Sequence, residues 1–223
     1  MRMRIDINDG GITVQHEGQH DDVIVKAVDV QDLSRALTGD VTMDTGWLGP
    51  RLHRFSQMGG LTNVLVEVPP KLRRITYAGQ IYENVPTPRC LFKFRLRGNI
   101  LDYSAVVASM DVVPPGMEWM PTDTSLVARL PFPNVYPDTH VCWGRQVIPQ
   151  ITLVTIGGLA ELFWGAPFNT DLEHSGLPPS WRNHATPRGR DMLRAFQREG
   201  VNFPMDFLVR LGNLRHWWEG HLH

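Results

Sequence analysis

Asn134 stands eight residues before Cys142, and these two side chains are the best suited to acyl chemistry in the chain. A cysteine thiolate attacks an activated carbonyl, and an asparagine amide N–H can hydrogen-bond the oxyanion that develops. Pro131, Pro133 and Pro137 surround the asparagine. Each fixes φ and withholds a backbone donor, so residues 130–144 read as neither a helix nor a central strand. They read as an ordered irregular loop, the kind of segment on which functional groups concentrate.

The run Phe132-Pro133-Asn134-Val135-Tyr136, followed by Val141-Cys142, resembles the active-site signature of ubiquitin-conjugating enzymes. There a His-Pro-Asn tripeptide precedes the thioester-forming cysteine at the same spacing. Phe132 stands where the histidine would be, and in that loss the chain is similar to a prokaryotic ubiquitin-conjugating-enzyme-like branch, the PRTRC system protein B type. The resemblance covers about residues 60–175. It implies an α+β fold in which Cys142 accepts the C-terminus of a ubiquitin-like protein from an adenylating (activating) enzyme. An acceptor amine would then attack the thioester, with Asn134 stabilising the oxyanion. In the family an acidic residue after the next helix faces the thioester; Asp171 is the matching position, with Asp138 a second candidate for orienting or deprotonating the amine. The resemblance implies no cofactor and no metal. The missing histidine chiefly shapes the loop in the family, so Phe132 is expected to support the loop by packing.

Other readings of the same residues stay open. Cys142 can be a buried cysteine at a strand start beside an ordinary turn, since cysteine is among the most buried residue types. A cysteine hydrolase would need a histidine base, and His140 reaches the sulfur only with a distorted backbone. A catalytically silent variant of the fold would act as a binding or assembly module. Arg145 stands three residues on and can favour a thiolate if it points that way. Cys90, by contrast, alternates with Phe92, Phe94 and Leu96 against Lys93, Arg95 and Arg97, and reads as a small buried hydrophobe.

Composition excludes several classes. With 42% hydrophobic and 20% charged residues, the 223-residue chain is an ordinary globular protein. A net charge of −1 supplies no footprint for nucleic acid. The window 151–168 is broken by Glu161, two threonines and Gly157-Gly158, so no membrane span is expected. Met1 to Asp6 carries no apolar signal region, and two distant cysteines make no disulfide framework, which together point to the cytoplasm. The three lysines, Lys26, Lys71 and Lys93, suit an enzyme that must avoid modifying itself, although nucleotide bias explains the same count. His216, His221 and His223 read as a polar terminus rather than a metal site.

These groups need a framework to position them. Alternation around Asn8-Asp9-Gly10-Gly11 predicts a hairpin, with a further strand over 23–28 and a helix from Asp29 to about Leu37. Residues 40–60 read mostly as loop, and His16 and His53 as solvated histidines. A β-meander follows: 61–68, 72–77, 90–97 and 100–109, with Gly98-Asn99 as the turn between the last two, then 125–130. A helix over about 153–163 packs on the sheet despite Gly157-Gly158. After Pro178-Pro179 the pattern predicts a helix from Pro187 to Gly200 and another from about Pro204 to Trp218. The expected architecture is an α+β antiparallel meander with packed helices and a C-terminal helical unit. Its segments are an extension over 1–58, a conjugating-enzyme-like core over 59–176 and the helical unit over 177–223.

Overall fold

In the computed structural model, residues 2–8, 11–17, 23–28 and 43–44 are described as backbone elements, and residues 52–113, 117–152, 155–172 and 189–220 in full. Strands β1 (Arg2–Asn8), β2 (Gly11–Glu17) and β3 (Val23–Val28) form an antiparallel three-stranded sheet, as the Asn-Asp-Gly-Gly turn predicts. The helix expected after Asp29 lies outside the described residues.

A seven-stranded sheet dominates the chain. Its strands are β4 (Met43–Asp44), β5 (Leu52–Met58), β6 (Leu61–Val68), β9 (Cys90–Arg97), β10 (Ile100–Ser109), β11 (Leu126–Arg129) and β12 (Val209–Asn213). Their order in space is β12-β11-β10-β9-β6-β5-β4, and every pairing is antiparallel. Segments 1–58, 59–176 and 177–223 thus all contribute strands to one sheet. Strands β7 (Lys71–Tyr77) and β8 (Gln80–Thr87) form a separate hairpin between β6 and β9.

Among the described residues, three helices accompany the strands: α1 (Ile156–Gly165), α2 (Gly189–Arg198) and α3 (Leu214–Glu219). The period of two divides β9 as the sequence predicts. Cys90, Phe92, Phe94 and Leu96 enter one core with Phe163 of α1 and Phe196 of α2. The opposite face holds a second cluster, in which Leu65, Leu91, Ala105, Val107 and Val127 meet Trp119 and the Leu214, Trp217 and Trp218 side chains of α3. A register shift between Leu101 and Tyr103 sends Leu101 to the first core while Tyr103 joins the second, although alternation alone groups the two. Glu161 fastens α1 to β7: Arg73 donates to it at 2.7 Å and Lys71 at 3.1 Å, and Arg73 holds its carboxyl below the usual range. Among the described residues, no helix is long and apolar enough to cross a membrane.

Three expectations need correction. Residues 40–60 contain β4 and β5 instead of being mostly loop. The buried positions of β5 are His53, Phe55 and Gln57, and two polar residues among three hide the apolar alternation. His53 is fully buried, not solvated, with Nε2 2.7 Å from Glu67 Oε2; Arg89 pairs with the same carboxylate. His16 lies within β2. Strand β8 shows no clean alternation in the sequence, because a bulge at Glu83-Asn84 interrupts its period, with Asn84 at φ +55°. Finally, no continuous helix runs from 204 to 218. A 3-10 turn (Met205–Phe207) leads into β12, and only then does α3 begin. The open edge of β11 offers partners to Val209, Arg210, Gly212 and Asn213, with Leu211 bulged, and this outweighs local helix propensity. Asn213 ends that strand and caps α3, accepting the His216 N–H at 3.0 Å.

Candidate active site

Strand β11 pairs with β10 only over Val107–Ser109, which leaves the Ser104–Val106 backbone without that neighbour. The chain passes through the proline-rich run and returns to fill the gap. Val106 N–H donates to Thr139 O at 2.9 Å, and Val141 N–H to Ser104 O at 3.0 Å. Within the run a small hairpin closes on itself. Val135 bridges Val141, Tyr136 N–H donates to His140 O at 2.9 Å, and Cys142 N–H donates to Asn134 O at 2.7 Å. The short loop at its tip puts Thr139 at φ +75°. That region is uncommon for any non-glycine residue and strained for a β-branched one, by about 1–2 kcal/mol.

The hairpin sets the backbones of Asn134 and Cys142 opposite one another. Cys142 is half-buried at the end of the returning arm. Asn134 is buried, and its amide Nδ2 donates to Pro167 O in a long 3.5 Å hydrogen bond. In this state the amide tethers the loop to the segment leaving α1. That segment is itself tied to β7, where Phe168 N–H donates to Thr76 O at 2.8 Å and Ala78 N–H to Phe168 O at 2.9 Å. Asp171 sits farther along it, exposed, in a turn where Asn169 Nδ2 donates to its carboxylate at 2.9 Å and its own N–H to Asn169 Oδ1 at 3.0 Å.

Tyr136, which sequence reasoning left without a role, joins these groups. Its exposed phenol is held above the ordinary tyrosine range first by a side-chain hydrogen bond with Cys142 and then by that group's charge. Smaller contributions come from Asp171 and Asp138, so both acidic candidates lie within electrostatic reach of the same hydroxyl. A period of two was the available signal: in an extended arm Tyr136 and Asn134 share a side. Trp217 was missed as well, and no local pattern points to it. Its indole Nε1 donates to Thr139 Oγ1 at 3.0 Å in a buried contact.

Phe132 fills the role expected of it. It is buried, and its ring lies 5.0 Å from Trp164, 5.6 Å from Phe196 and 6.2 Å from Phe168, centroid to centroid. One aromatic residue therefore joins the loop to α1, to α2 and to the exit segment. His140 turns its ring to Tyr103, 4.4 Å away, with Nδ1 2.8 Å from Asp138 Oδ2. Arg145 is exposed in the turn after Gly144. Cys90 has the reverse setting: fully buried, its thiol pushed up by burial and directed at Pro88 O, 3.3 Å away.

Comparison with known families gives one match. The model of prokaryotic E2 family D fits residues 31–211, which takes in the meander, the loop, α1, α2 and most of β12. No curated protein and no solved structure matches the chain.

Proposed function

Because this chain belongs to prokaryotic E2 family D, a conjugating-enzyme-like family, we propose that it carries a ubiquitin-like protein as a thioester on Cys142 and passes it to an amine. The observation that carries this reading is the closed hairpin that sets Asn134 against a half-buried Cys142. In the first step the Cys142 thiolate attacks the modifier's C-terminal carbonyl, already held as a thioester by an adenylating enzyme. The enzyme's thiolate leaves, and one C–S bond replaces another at nearly balanced energy. In the second step an acceptor amine attacks the Cys142 thioester. The oxyanion forms beside Asn134, whose 3.5 Å bond to Pro167 O is long enough to be exchanged for it. Collapse releases the Cys142 thiolate, and the amine's proton passes to solvent or to a carboxylate. Asp171 is the proposed carboxylate and Asp138 the alternative. The proposal extends to kinship with the PRTRC system protein B type, on the strength of Phe132 standing before retained Pro133, Asn134 and Cys142.

The test is to mix the chain with ATP, its cognate adenylating enzyme and the ubiquitin-like protein. An adduct that vanishes with excess dithiothreitol is expected, because thiols cleave thioesters and spare amides. If these partners yield no adduct while a control conjugating enzyme charges normally, the catalytic reading fails. The fold would then serve as a binding or assembly module.

A further inference from the structure

We infer that Trp217, seventy-eight residues beyond Thr139, is a positioning residue for Cys142 and acts through that threonine. The inference rests on Cys142 being the reacting group. Thr139 occupies a left-handed conformation that a β-branched side chain does not hold unaided. Three bonds keep it there: its N–H donates to Tyr136 O, its carbonyl accepts from Val106 N–H, and its hydroxyl accepts from Trp217 Nε1. The first two belong to the loop and its strand. Only the third comes from a distant element.

That element is anchored independently of the loop. Asn213 caps the start of α3, and Gly220 closes its end at φ +83°. Lys93 Nζ donates to Trp218 O, while the Arg54 guanidinium lies 5.4 Å from the centre of the Trp218 ring. Trp217 is therefore a fixed donor, and Thr139 fits itself to it. If the bond is lost, Thr139 can relax toward an ordinary backbone conformation. Cys142 lies three residues on in the same hairpin, so such a change alters the half-buried setting of its sulfur and its access to solvent.

Iodoacetamide labelling of the folded full chain between pH 6 and 10, with peptide mapping to separate Cys142 from Cys90, reads this directly. Trp217→Phe keeps an aromatic ring and removes the donor; Thr139→Val keeps the branched shape and removes the acceptor. Each is expected to speed Cys142 labelling about fivefold, the worth of one net hydrogen bond, and to move the pH midpoint of labelling. Thr139→Gly removes the need for a restraint, so adding Trp217→Phe to it should change the rate less than about twofold, as expected when the two sites act through one contact. Wild-type rates and midpoint in Thr139→Val would overturn the inference. So would an equal effect of Trp217→Phe in the Thr and Gly backgrounds, which would mean that it acts through core packing. Thermal unfolding identifies a Trp217→Phe chain that fails to fold, and Thr139→Val then decides alone. Labelling needs no conjugation partner, so coupled labelling rates without any charging would uphold the positioning role and reject thioester transfer.

Discussion

Cys90 and Cys142 are the same residue in opposite surroundings. Cys90 sits in a central strand between β6 and β10, sealed by Phe92 and Phe94, with burial holding its thiol protonated. Cys142 ends a strained hairpin that only borrows a strand's edge, and it keeps part of its surface in water. The first environment is built from local alternation. The second is assembled from far apart, by Phe132 packing on α1 and α2 and by Trp217 reaching Thr139 from α3. The proposed reactivity lies with the cysteine whose surroundings are costlier to build.

The largest expected effect is on the contrast itself. Alkylation of the native chain should label Cys142 and reach Cys90 only through unfolding, which suppresses the Cys90 rate by about 10³ or more. Preferential labelling of Cys90 by peptide mapping would reverse the assignment. Next comes the loop's packing. Phe132→Ala empties a site enclosed by aromatic rings and should destabilise the protein by about 3–5 kcal/mol, measured by denaturant unfolding. A loss below about 1 kcal/mol would mean that the loop does not depend on this anchor. Asn134→Ala should leave charging of Cys142 intact and slow discharge to an amine by roughly 10², the effect of one lost oxyanion donor. Loss of charging as well would make Asn134 a structural residue, held by Pro167 alone.

The smallest effect concerns the sheet face under α3. Burial, followed by Arg95 and Arg54, pushes the Lys93 ammonium down to about 8. A lysine depressed in the folded state binds fewer protons there than when unfolded, so its burial penalty is present below about pH 8 and fades as pH rises toward the ordinary lysine range. Lys93→Met removes that penalty, together with the bond to the Trp218 carbonyl. The stability gap between the variant and the wild type should therefore shift in favour of the wild type between about pH 8 and 10. A gap that stays flat with pH would place the Lys93 charge in water.

What was legible in the sequence follows the same division. The run from Cys90 to Leu96 and the Gly98 turn could be read because each signal spans only neighbouring residues, and Gly98 indeed takes φ +58°. Pro133, Asn134 and Cys142 could be read because prolines exclude regular structure and a resemblance supplied their chemistry. Strand β5 could not, since its buried side is His53, Phe55 and Gln57, and the burial of His53 rests on its pairing with Glu67 of β6, which no pattern within β5 records. Strand β12 could not either. Its extended state comes from the open edge of β11, and nothing within Val209–Asn213 records that edge. The hold of Trp217 on Thr139 is of the same long-range kind.

The most direct measurement of the central claim is the intact mass of the charged protein, taken for the wild type and three variants after reaction with ATP, the adenylating enzyme and the ubiquitin-like protein. The account predicts one modifier per chain, lost with dithiothreitol, in the wild type and in Cys90→Ala. It predicts a thiol-resistant oxyester in Cys142→Ser and no adduct in Cys142→Ala. A dithiothreitol-sensitive adduct that persists in Cys142→Ala and disappears in Cys90→Ala would contradict it.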